Sequence, residues 1–304
     1  MRQIFGWESD SKKVSASSRK ESPKVLFVGS KGGGHIVFRR LLLREVNIVQ
    51  VLQEGTELSE SACANKIPYK SIEHGKEIVP FLRGVDFTVF AYTGCIVPKE
   101  TFKRYQGRLI GVHASDLPKF RGPYPIQNAL VQGENKLRIV TFLLEEKVDE
   151  GPVLLRSDQC QVHQNRSFEN FQTDIAYVAG ELLARTLFKI KTIKPKKQKG
   201  MPTYAPELTR EDFFINWPQH PARQIALMAY PNQREVYARL KGKEVTLENP
   251  QVSELGFFGN YETGTVLTTG KGYHIKTLDG ILYVDSIRTP DGGSIRLGKS
   301  PVLE

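Results

Sequence analysis

Short apolar runs alternate with helix-like segments through the first 190 residues, and this alternation restricts the fold more than any other feature. Residues 24–30 (KVLFVGS), 47–52 (NIVQVL) and 86–92 (DFTVFAY) have the β-branched and aromatic composition of buried strands. The segment IVFRRLLLREV follows the first of them, and residues 167–190 show the clearest helical periodicity. Strands that alternate with helices favour a parallel sheet covered on both faces. We predict an α/β fold with a Rossmann-like, doubly wound, mainly parallel sheet.

Composition limits the class of protein. With 304 residues, of which 39% are hydrophobic, the chain can bury a large domain and a smaller one. No apolar run approaches the roughly 18 residues of a membrane span, and MRQIFGW is followed at once by the polar ESDSKK. We therefore expect a cytoplasmic protein without membrane association. The wide spacing of Cys63, Cys95 and Cys160 predicts reduced thiols rather than a disulfide framework or a zinc site.

The net charge of +10 is partly local, because residues 191–200 (KTIKPKKQKG) contain five lysines. Such a run indicates either a solvated connector or a segment that binds RNA. Aromatic residues that would stack on bases are not interleaved, which favours the connector. We assign residues 191–202 to a basic linker.

The pattern of apolar and turn-forming residues changes near residue 203. Beyond it, one helix-like segment (QIALMAY) precedes short runs such as EVTLE, GTVLTT, YHIKTL and GILYVDSIR, separated by Gly, Asn and Asp. This pattern predicts a small β-rich, OB-like domain over residues 203–304. Residues 23–190 form the large domain, and the Ser-, Lys- and Glu-rich residues 1–22 are expected to be a flexible tail.

Polar residues gather in the segment 109–154, at the ends of two strand-like runs. LIGV stops at His113, and RIVTFLL is followed by KVDEGP, which contains Asp149. Open α/β sheets bind ligands beyond the carboxyl ends of their strands, where neighbouring strand ends meet. The pair is therefore a candidate for a proton-transfer step. The alternative is a hydrogen-bonded strand-end histidine and a turn aspartate, and spacing alone does not decide between them.

A glycine-rich loop, residues 29–35 (GSKGGGH), follows the first predicted strand. It resembles a phosphate cradle, but it matches neither G-x-G-x-x-G nor the P-loop spacing. A tight strand-to-helix turn is favoured over dinucleotide binding, so a nicotinamide-dependent dehydrogenase is the weakest functional alternative.

The amino-acid sequence of the central segment resembles the signature motif of the folate-dependent formyltransferases, N-x-H-x-S-L-L-P-x-x-R-G followed by D-x-G. The resemblance is carried by HASDLPKFRGPYPIQNALVQGE and VTFLLEEKVDEGPV. AYTGCIVPKE is similar to a loop of that family, and TYAPELTREDFFINW with the β-rich tail resembles the C-terminal domain of methionyl-tRNA formyltransferase and its sugar-modifying relatives. The resemblance covers roughly residues 23–290 and makes residues 23–190 the catalytic domain.

The resemblance implies transfer of a formyl group from 10-formyltetrahydrofolate to a primary amine, without a metal. It implies that His113 and Asp149 are catalytic, and that Cys95 is a pocket wall rather than a nucleophile. Donors must meet the charge that develops on the formyl oxygen while a base removes the amine proton. The implied cofactor-binding residues are Gly94, Cys95, Ile96, Val97, Leu143, Leu144, Glu145 and Val148. The implied substrate-binding residues are Gly111, Ser115, Lys119 and Arg121, the arginine being suited to phosphate or carboxylate groups.

One position departs from the family pattern. The family has an asparagine two residues before the histidine, where this chain has Gly111. Loss of one oxyanion donor typically lowers the rate ~10²- to 10³-fold. Either another donor substitutes, or the chemistry differs, or the protein binds its ligands without efficient turnover.

Three functions follow from the resemblance. The first is an N-formyltransferase of a small amine, either a nucleotide-linked amino sugar or a modified amino acid. The second is methionyl-tRNA formyltransferase, which the C-terminal domain and basic linker favour but the missing basic insertion after the second strand disfavours. The third is a catalytically weak or inactive folate- or nucleotide-binding homologue. The expected partner is thus a small-molecule amine, with tRNA as the alternative; a homodimer is left open.

Overall fold

The computed structural model describes residues 22–30, 32–56, 58–163, 167–255, 261–269 and 272–293. These form two compact units. The first comprises the described residues up to Pro125 together with Lys136–Gln161 and Glu169–Tyr204, and the second comprises Ile126–Asn135, Val162–Phe168 and the described residues from Ala205 onward. The division into folding domains at residue 203 stays a prediction. The expected tail, residues 1–22, lies outside the described residues except for Ser22.

The strands and helices of the first half of the chain occur where the apolar runs predicted them. In chain order they are β1 (Val25–Ser30), α1 (Gly33–Leu43), β2 (Ile48–Glu54), α2 (Ser59–Ala64), β3 (Tyr69–Ser71), a 3₁₀ helix (Gly75–Leu82), β4 (Phe87–Ala91), α3 (Lys99–Arg104), β5 (Leu109–His113), α4 (Pro125–Val131), β6 (Lys136–Leu137), β7 (Val140–Leu143), β8 (Val153–Arg156), β9 (Cys160–Gln161) and α5 (Phe168–Lys189).

Seven of these strands form one sheet in the order β3-β2-β1-β4-β5-β7-β8. The pairs from β3 to β5 are all parallel, whereas β7 is antiparallel to both β5 and β8. The core around this sheet consists of fully buried side chains from strands and helices, such as Phe27, Phe38 and Leu52. The predicted Rossmann-like, mainly parallel sheet is confirmed.

The glycine run after β1 is explained by close packing. β1 ends at Ser30 and α1 begins at Gly33. A Cβ atom at Gly33 would lie 2.4 Å from the Tyr92 ring, far inside van der Waals contact. The helix can therefore approach the end of β4 only because residue 33 has no side chain.

The second unit is built mainly from antiparallel strands. Its elements are a 3₁₀ helix (Arg210–Phe213), α6 (Ala222–Ala229), β10 (Glu235–Leu240), β11 (Lys243–Glu248), β12 (Gln251–Val252), β13 (Val266–Thr269), β14 (Gly272–Lys276), β15 (Ile281–Val284) and β16 (Ser286–Arg288). They form a sheet β10-β11-β16 and a sheet β12-β15-β14-β13. Buried residues of both sheets, including Val236, Leu247 and Leu282, pack with Ile225 and Met228 of α6. A small β-rich C-terminal region is thus confirmed.

The strand order determines where a ligand crevice forms. β2 and β4 lie on opposite sides of β1, so the connections leave β1 and β4 in opposite directions. Ligands of open α/β sheets bind at the carboxyl ends of strands beside such a reversal. The loops that follow β4 and β5 leave the sheet at this edge. Among the described helices, none is long and apolar enough to cross a membrane.

Candidate active site

His113 is the last residue of β5 and is 8% exposed. Its Nε2 lies 2.7 Å from the carbonyl oxygen of Phe120. A carbonyl oxygen only accepts hydrogen bonds, so Nε2 is assigned as the protonated nitrogen. In the neutral ring Nδ1 is then the unprotonated nitrogen.

Asp149 faces that nitrogen. Its Oδ2 lies 3.6 Å from Nδ1 of His113, beyond direct hydrogen-bond distance but close enough to stabilise a charged imidazolium. The same oxygen accepts a hydrogen bond of 2.8 Å from the backbone N–H of Gly122. Asp149 adopts a left-handed backbone conformation with φ of 54°. The structure therefore brings the two predicted catalytic side chains together.

The reason for this proximity differs from the one expected. We expected the ends of two neighbouring strands to meet, but β7 is antiparallel to β5, and Val140 at the start of β7 pairs with His113. The end of β7 therefore lies at the opposite edge of the sheet. The connection from β7 to β8 returns towards His113 and carries Asp149 with it. A loop, rather than the direction of the strand, positions the carboxylate.

The space beside Gly111 is occupied by an aromatic ring. Gly111 pairs with Phe142 across the β5–β7 ladder. A Cβ atom at residue 111 would lie 2.7 Å from Cε1 and 2.8 Å from Cζ of Phe142. The ring is 4% exposed and stands edge-on to His113, with ring centroids 6.4 Å apart. Phe142 thus occupies space that the first side-chain atom of any other residue at position 111 would need.

Two of the predicted substrate-binding side chains make internal contacts. Ser115 is 1% exposed, and its hydroxyl donates a hydrogen bond of 2.5 Å to the carbonyl of Lys119. Nη1 of Arg121 lies 2.9 Å from a carboxylate oxygen of Glu150. Lys119 is exposed. The contacts of Ser115 and Arg121 stabilise the loop itself, and contact of these residues with a substrate stays a prediction.

The loop after β4 contains Gly94, Cys95, Ile96 and Val97 and is held by the carboxylate of Glu54. That carboxylate accepts hydrogen bonds from the Thr93 hydroxyl at 2.7 Å and the Gly94 N–H at 3.1 Å. The Cys95 thiol donates to it at 3.3 Å. Burial, and secondarily the nearby Glu54, raise the pKa of Cys95 to about 11, so the thiol is protonated at neutral pH. This agrees with a pocket wall and not with a nucleophile.

A cavity of about 560 Å³ lies along the same loop. It is lined by Glu54, Glu73, His74, Gly75, Lys76, Gly94, Cys95, Ile96 and Pro98. It contains three of the predicted cofactor-binding residues but neither His113 nor Asp149. Ile96 is 80% exposed, while Val97 is buried in the core of the sheet.

The remaining predicted cofactor-binding residues lie at the end of β7 and on the connection from β7 to β8. The backbone N–H groups of Leu143 and Leu144 donate to the carbonyls of Pro152 and Leu109. These two groups are therefore committed to the sheet. Glu145 is exposed, and the aliphatic side chain of Val148 is 66% exposed.

Three residues that shape the site could not be recognised from the sequence. Phe142 is an ordinary strand residue in the sequence, and Glu54 is an ordinary strand-end carboxylate. Gln198 lies in the lysine-rich segment, yet its side chain contacts the loop of Asp149. The lysines of this segment are exposed, but the backbone of Lys196 pairs with Val153 and Gln198 is half-buried. Only the pairing of elements distant in sequence reveals these roles.

The fold and the site define an α/β protein with a buried histidine at a strand end and, facing it, a carboxylate from a loop. The formyl transferase family model matches residues 44–187. The chain is 32% identical over 219 residues to the methionyl-tRNA formyltransferase of Thermodesulfovibrio yellowstonii, covering 70% of this chain and 68% of that one. The chain therefore belongs to the family of folate-dependent formyltransferases.

Solved structures share the fold at lower sequence identity. An N-formyltransferase from Helicobacter canadensis, solved with folinic acid and dTDP-3-aminofucose, is 14% identical with a TM-score of 0.62, covering 87% of this chain and 99% of that one. HypX from Aquifex aeolicus, solved with tetrahydrofolic acid, is 18% identical with a TM-score of 0.54. That match covers 88% of this chain but 44% of HypX, so this chain spans less than half of its length.

Proposed function

We propose that the protein transfers the formyl group of 10-formyltetrahydrofolate to the primary amine of a small acceptor, a nucleotide-linked amino sugar or a modified amino acid. The observation that carries the proposal is the His113–Asp149 pair, with Nε2 committed to the Phe120 carbonyl and Nδ1 facing the carboxylate at 3.6 Å. This arrangement leaves one ring nitrogen to take the proton that the attacking amine must lose. Asp149 stabilises the imidazolium so formed.

The loop after β4 and the connection from β7 to β8 suit a folate. Each presents one exposed aliphatic side chain, Ile96 and Val148, which an aromatic ring system would cover. The cavity of about 560 Å³ beside Gly94 and Cys95 lies in the size range of small-molecule sites. When bound, 10-formyltetrahydrofolate would supply the activated formyl group. Gly94, Cys95, Ile96 and Val148 are the residues that we expect to hold it.

A small acceptor is favoured by the segment between β2 and β3. Residues 55–68 (GTELSESACANKIP) contain two glutamates and a single basic residue, Lys66. An acceptor stem carries a dense phosphate charge and is bound through basic side chains. The proposal is supported by the solved N-formyltransferase of the same fold, whose structure holds folinic acid and dTDP-3-aminofucose.

Methionyl-tRNA is the second candidate acceptor. It is supported by the identity to the Thermodesulfovibrio yellowstonii enzyme and by the net charge of +10. A third candidate, a folate-binding homologue with little turnover, is supported by the absence of a side-chain donor at Gly111.

One experiment separates these candidates. The purified protein is incubated with 10-formyltetrahydrofolate and either a panel of amino-sugar nucleotides and amino acids or charged initiator tRNA, and formylated products are identified by mass spectrometry. We expect product with a small amine and none with the tRNA. Product with tRNA alone would establish the second candidate. Absence of any product, combined with a thermal shift on adding 5-formyltetrahydrofolate, would establish the third.

A further inference from the structure

The side chain of Gln198 connects two loops of the site. Its Nε2 donates hydrogen bonds to the carbonyl of Asp149 at 2.7 Å and to the carbonyl of Gly151 at 2.9 Å. Its Oε1 accepts from Nη2 of Arg121 at 2.7 Å and from Nε at 3.3 Å. Both polar atoms of one amide are thus engaged, one with the loop of the catalytic aspartate and the other with the loop after β5.

The segment around Gln198 is anchored on both sides. The backbone of Lys196 exchanges two hydrogen bonds of 2.8 Å with Val153, at the start of β8. The carbonyl of Thr203 accepts from the N–H of Arg121 at 2.9 Å, and its hydroxyl accepts from the N–H of Phe120 at 2.8 Å. Gln198 is half-buried, while the neighbouring Lys197 and Lys199 are exposed. The segment is therefore in a fixed register that directs Gln198 inward.

Asp149, to which Gln198 is hydrogen-bonded, has an uncommon backbone conformation. Asp149 has φ of 54°, in the left-handed region that non-glycine residues seldom adopt. Such residues persist where surrounding contacts determine them. Hydrogen bonds from one amide to the carbonyls of residues 149 and 151 fix the peptide groups on the C-terminal side of Asp149. The direction of its carboxylate, shared between Gly122 N–H and His113, depends on that backbone.

We propose that Gln198 is a positioning residue that holds Asp149 in the orientation needed to face Nδ1 of His113. The inference rests on the proposed function for its kinetic consequence, because Gln198 acts only through Asp149 and touches no reacting atom. Arg121 is held by the same amide and by Glu150, so Gln198 adds to the contacts that join the loop after β5 to the loop of Asp149.

The kinetic test uses Gln198→Met, which keeps the shape but has no polar group, and Gln198→Glu, which keeps an acceptor for Arg121 but lacks the amide donor. Small displacements of catalytic groups typically lower rates ~10- to 100-fold. We expect kcat to fall by about that factor in both variants, while KM for the formyl donor stays within about threefold. Lys197→Ala, the exposed neighbour, is the matched control and should stay within about twofold of wild type.

A cycle with Asp149→Asn separates positioning from general support. If Gln198 acts through Asp149, adding Gln198→Met to Asp149→Asn produces little further loss, because effects within one unit are not additive. A full additional loss of about 10-fold or more would overturn the proposal. So would a Gln198→Met enzyme whose KM rises while kcat is unchanged.

A second readout needs no turnover. Amide hydrogen exchange of residues 145–152, followed by mass spectrometry, should accelerate about 10-fold or more in Gln198→Met but not in Lys197→Ala. Unchanged exchange would overturn the proposal even if kcat fell. If wild-type protein formylates no acceptor, the proposed function fails, and the exchange measurement still decides whether Gln198 holds the loop.

Discussion

The two loops that leave the sheet at its ligand edge differ in how they are held. The loop after β5 is cross-linked internally, by the hydroxyl of Ser115 and by the carbonyl of Phe120, which His113 contacts. The loop after β4 is held by hydrogen bonds to the Glu54 carboxylate at the end of β2, and its Ile96 side chain is 80% exposed. The proposed catalytic histidine is thus fixed by contacts within the protein, whereas the surface proposed to receive the folate is left open.

Loss of either catalytic side chain should have the largest effect. General acid–base groups typically contribute ~10²- to 10⁴-fold to a rate. We expect His113→Ala and Asp149→Ala to lower kcat by that order, measured as formylated product per enzyme. Thermal unfolding of both variants should stay close to wild type.

His220→Ala serves as the control, because His220 lies in the second unit and is outside the candidate site. Retained turnover in either site variant would remove that residue from the proposed proton-transfer step.

Filling the glycine in β5 should have the next largest effect. Gly111→Asn places Cβ against Phe142, and overpacking of this kind costs ~1 to 3 kcal/mol. Phe142→Leu removes the ring atoms Cε1 and Cζ that lie closest to that Cβ. We expect the double variant to be more stable than the sum of the single changes predicts, with a coupling of ~0.5 to 3 kcal/mol in denaturant unfolding.

Turnover of the double variant addresses the missing oxyanion donor. A rate above that of Phe142→Leu alone would show that an amide at position 111 still assists the chemistry. A lower rate would show that the site operates with the glycine, and strictly additive free energies of unfolding would contradict the packing explanation.

The open loop is tested by Ile96→Ser. Because Ile96 is already exposed, the change should alter the free energy of unfolding by less than ~0.5 kcal/mol. Burial of an aliphatic side chain under a ligand contributes ~1.5 to 3 kcal/mol, so removing part of it should weaken 5-formyltetrahydrofolate binding about 5- to 20-fold, measured by calorimetry.

Leu43→Ser is the matched control, since Leu43 is also an exposed aliphatic residue, at the end of α1. Equal affinities for wild type and Ile96→Ser would mean that Ile96 does not contact the folate.

The smallest effect concerns the Cys95 thiol. With its pKa raised to about 11 by burial, only about one molecule in a thousand carries the thiolate at pH 8. Alkylation by iodoacetamide should therefore be slow at pH 7.5, accelerate about tenfold per pH unit towards pH 10, and slow again when 5-formyltetrahydrofolate is bound. Peptide mass spectrometry distinguishes it from the exposed Cys63. Labelling of Cys95 as fast as Cys63 at pH 7.5 would contradict this protonation state.

The sequence predicted the class of sheet because buried strands and helices have characteristic compositions. The runs at 24–30, 47–52 and 86–92 became β1, β2 and β4, and 167–190 became α5. It did not predict that β7 runs antiparallel, since an apolar run carries no information on strand direction. β3, β6 and β12 have only two or three residues and leave no periodicity to detect.

The part of the candidate site that lies within one continuous motif could be predicted. The part that depends on contacts between segments distant in sequence could not. His113 and Asp149 lie within one segment that contains a recognisable sequence motif. Gln198 follows Asp149 by 49 residues, and Glu54 precedes Gly94 by 40. Their roles depend on which strands and segments are neighbours, and on the register between them, which local sequence does not encode.

The pairing of Gly111 with Phe142 implies that these two positions do not vary independently. A formyltransferase of this fold with asparagine at the first position needs a side chain smaller than phenylalanine at the second, or a displaced ring. Gly111→Asn alone would overpack the space beside His113. A smaller residue at position 142 alone would leave a cavity there. The glycine and the phenylalanine of this chain therefore form one packing unit, and a change at either position has to be judged together with the other.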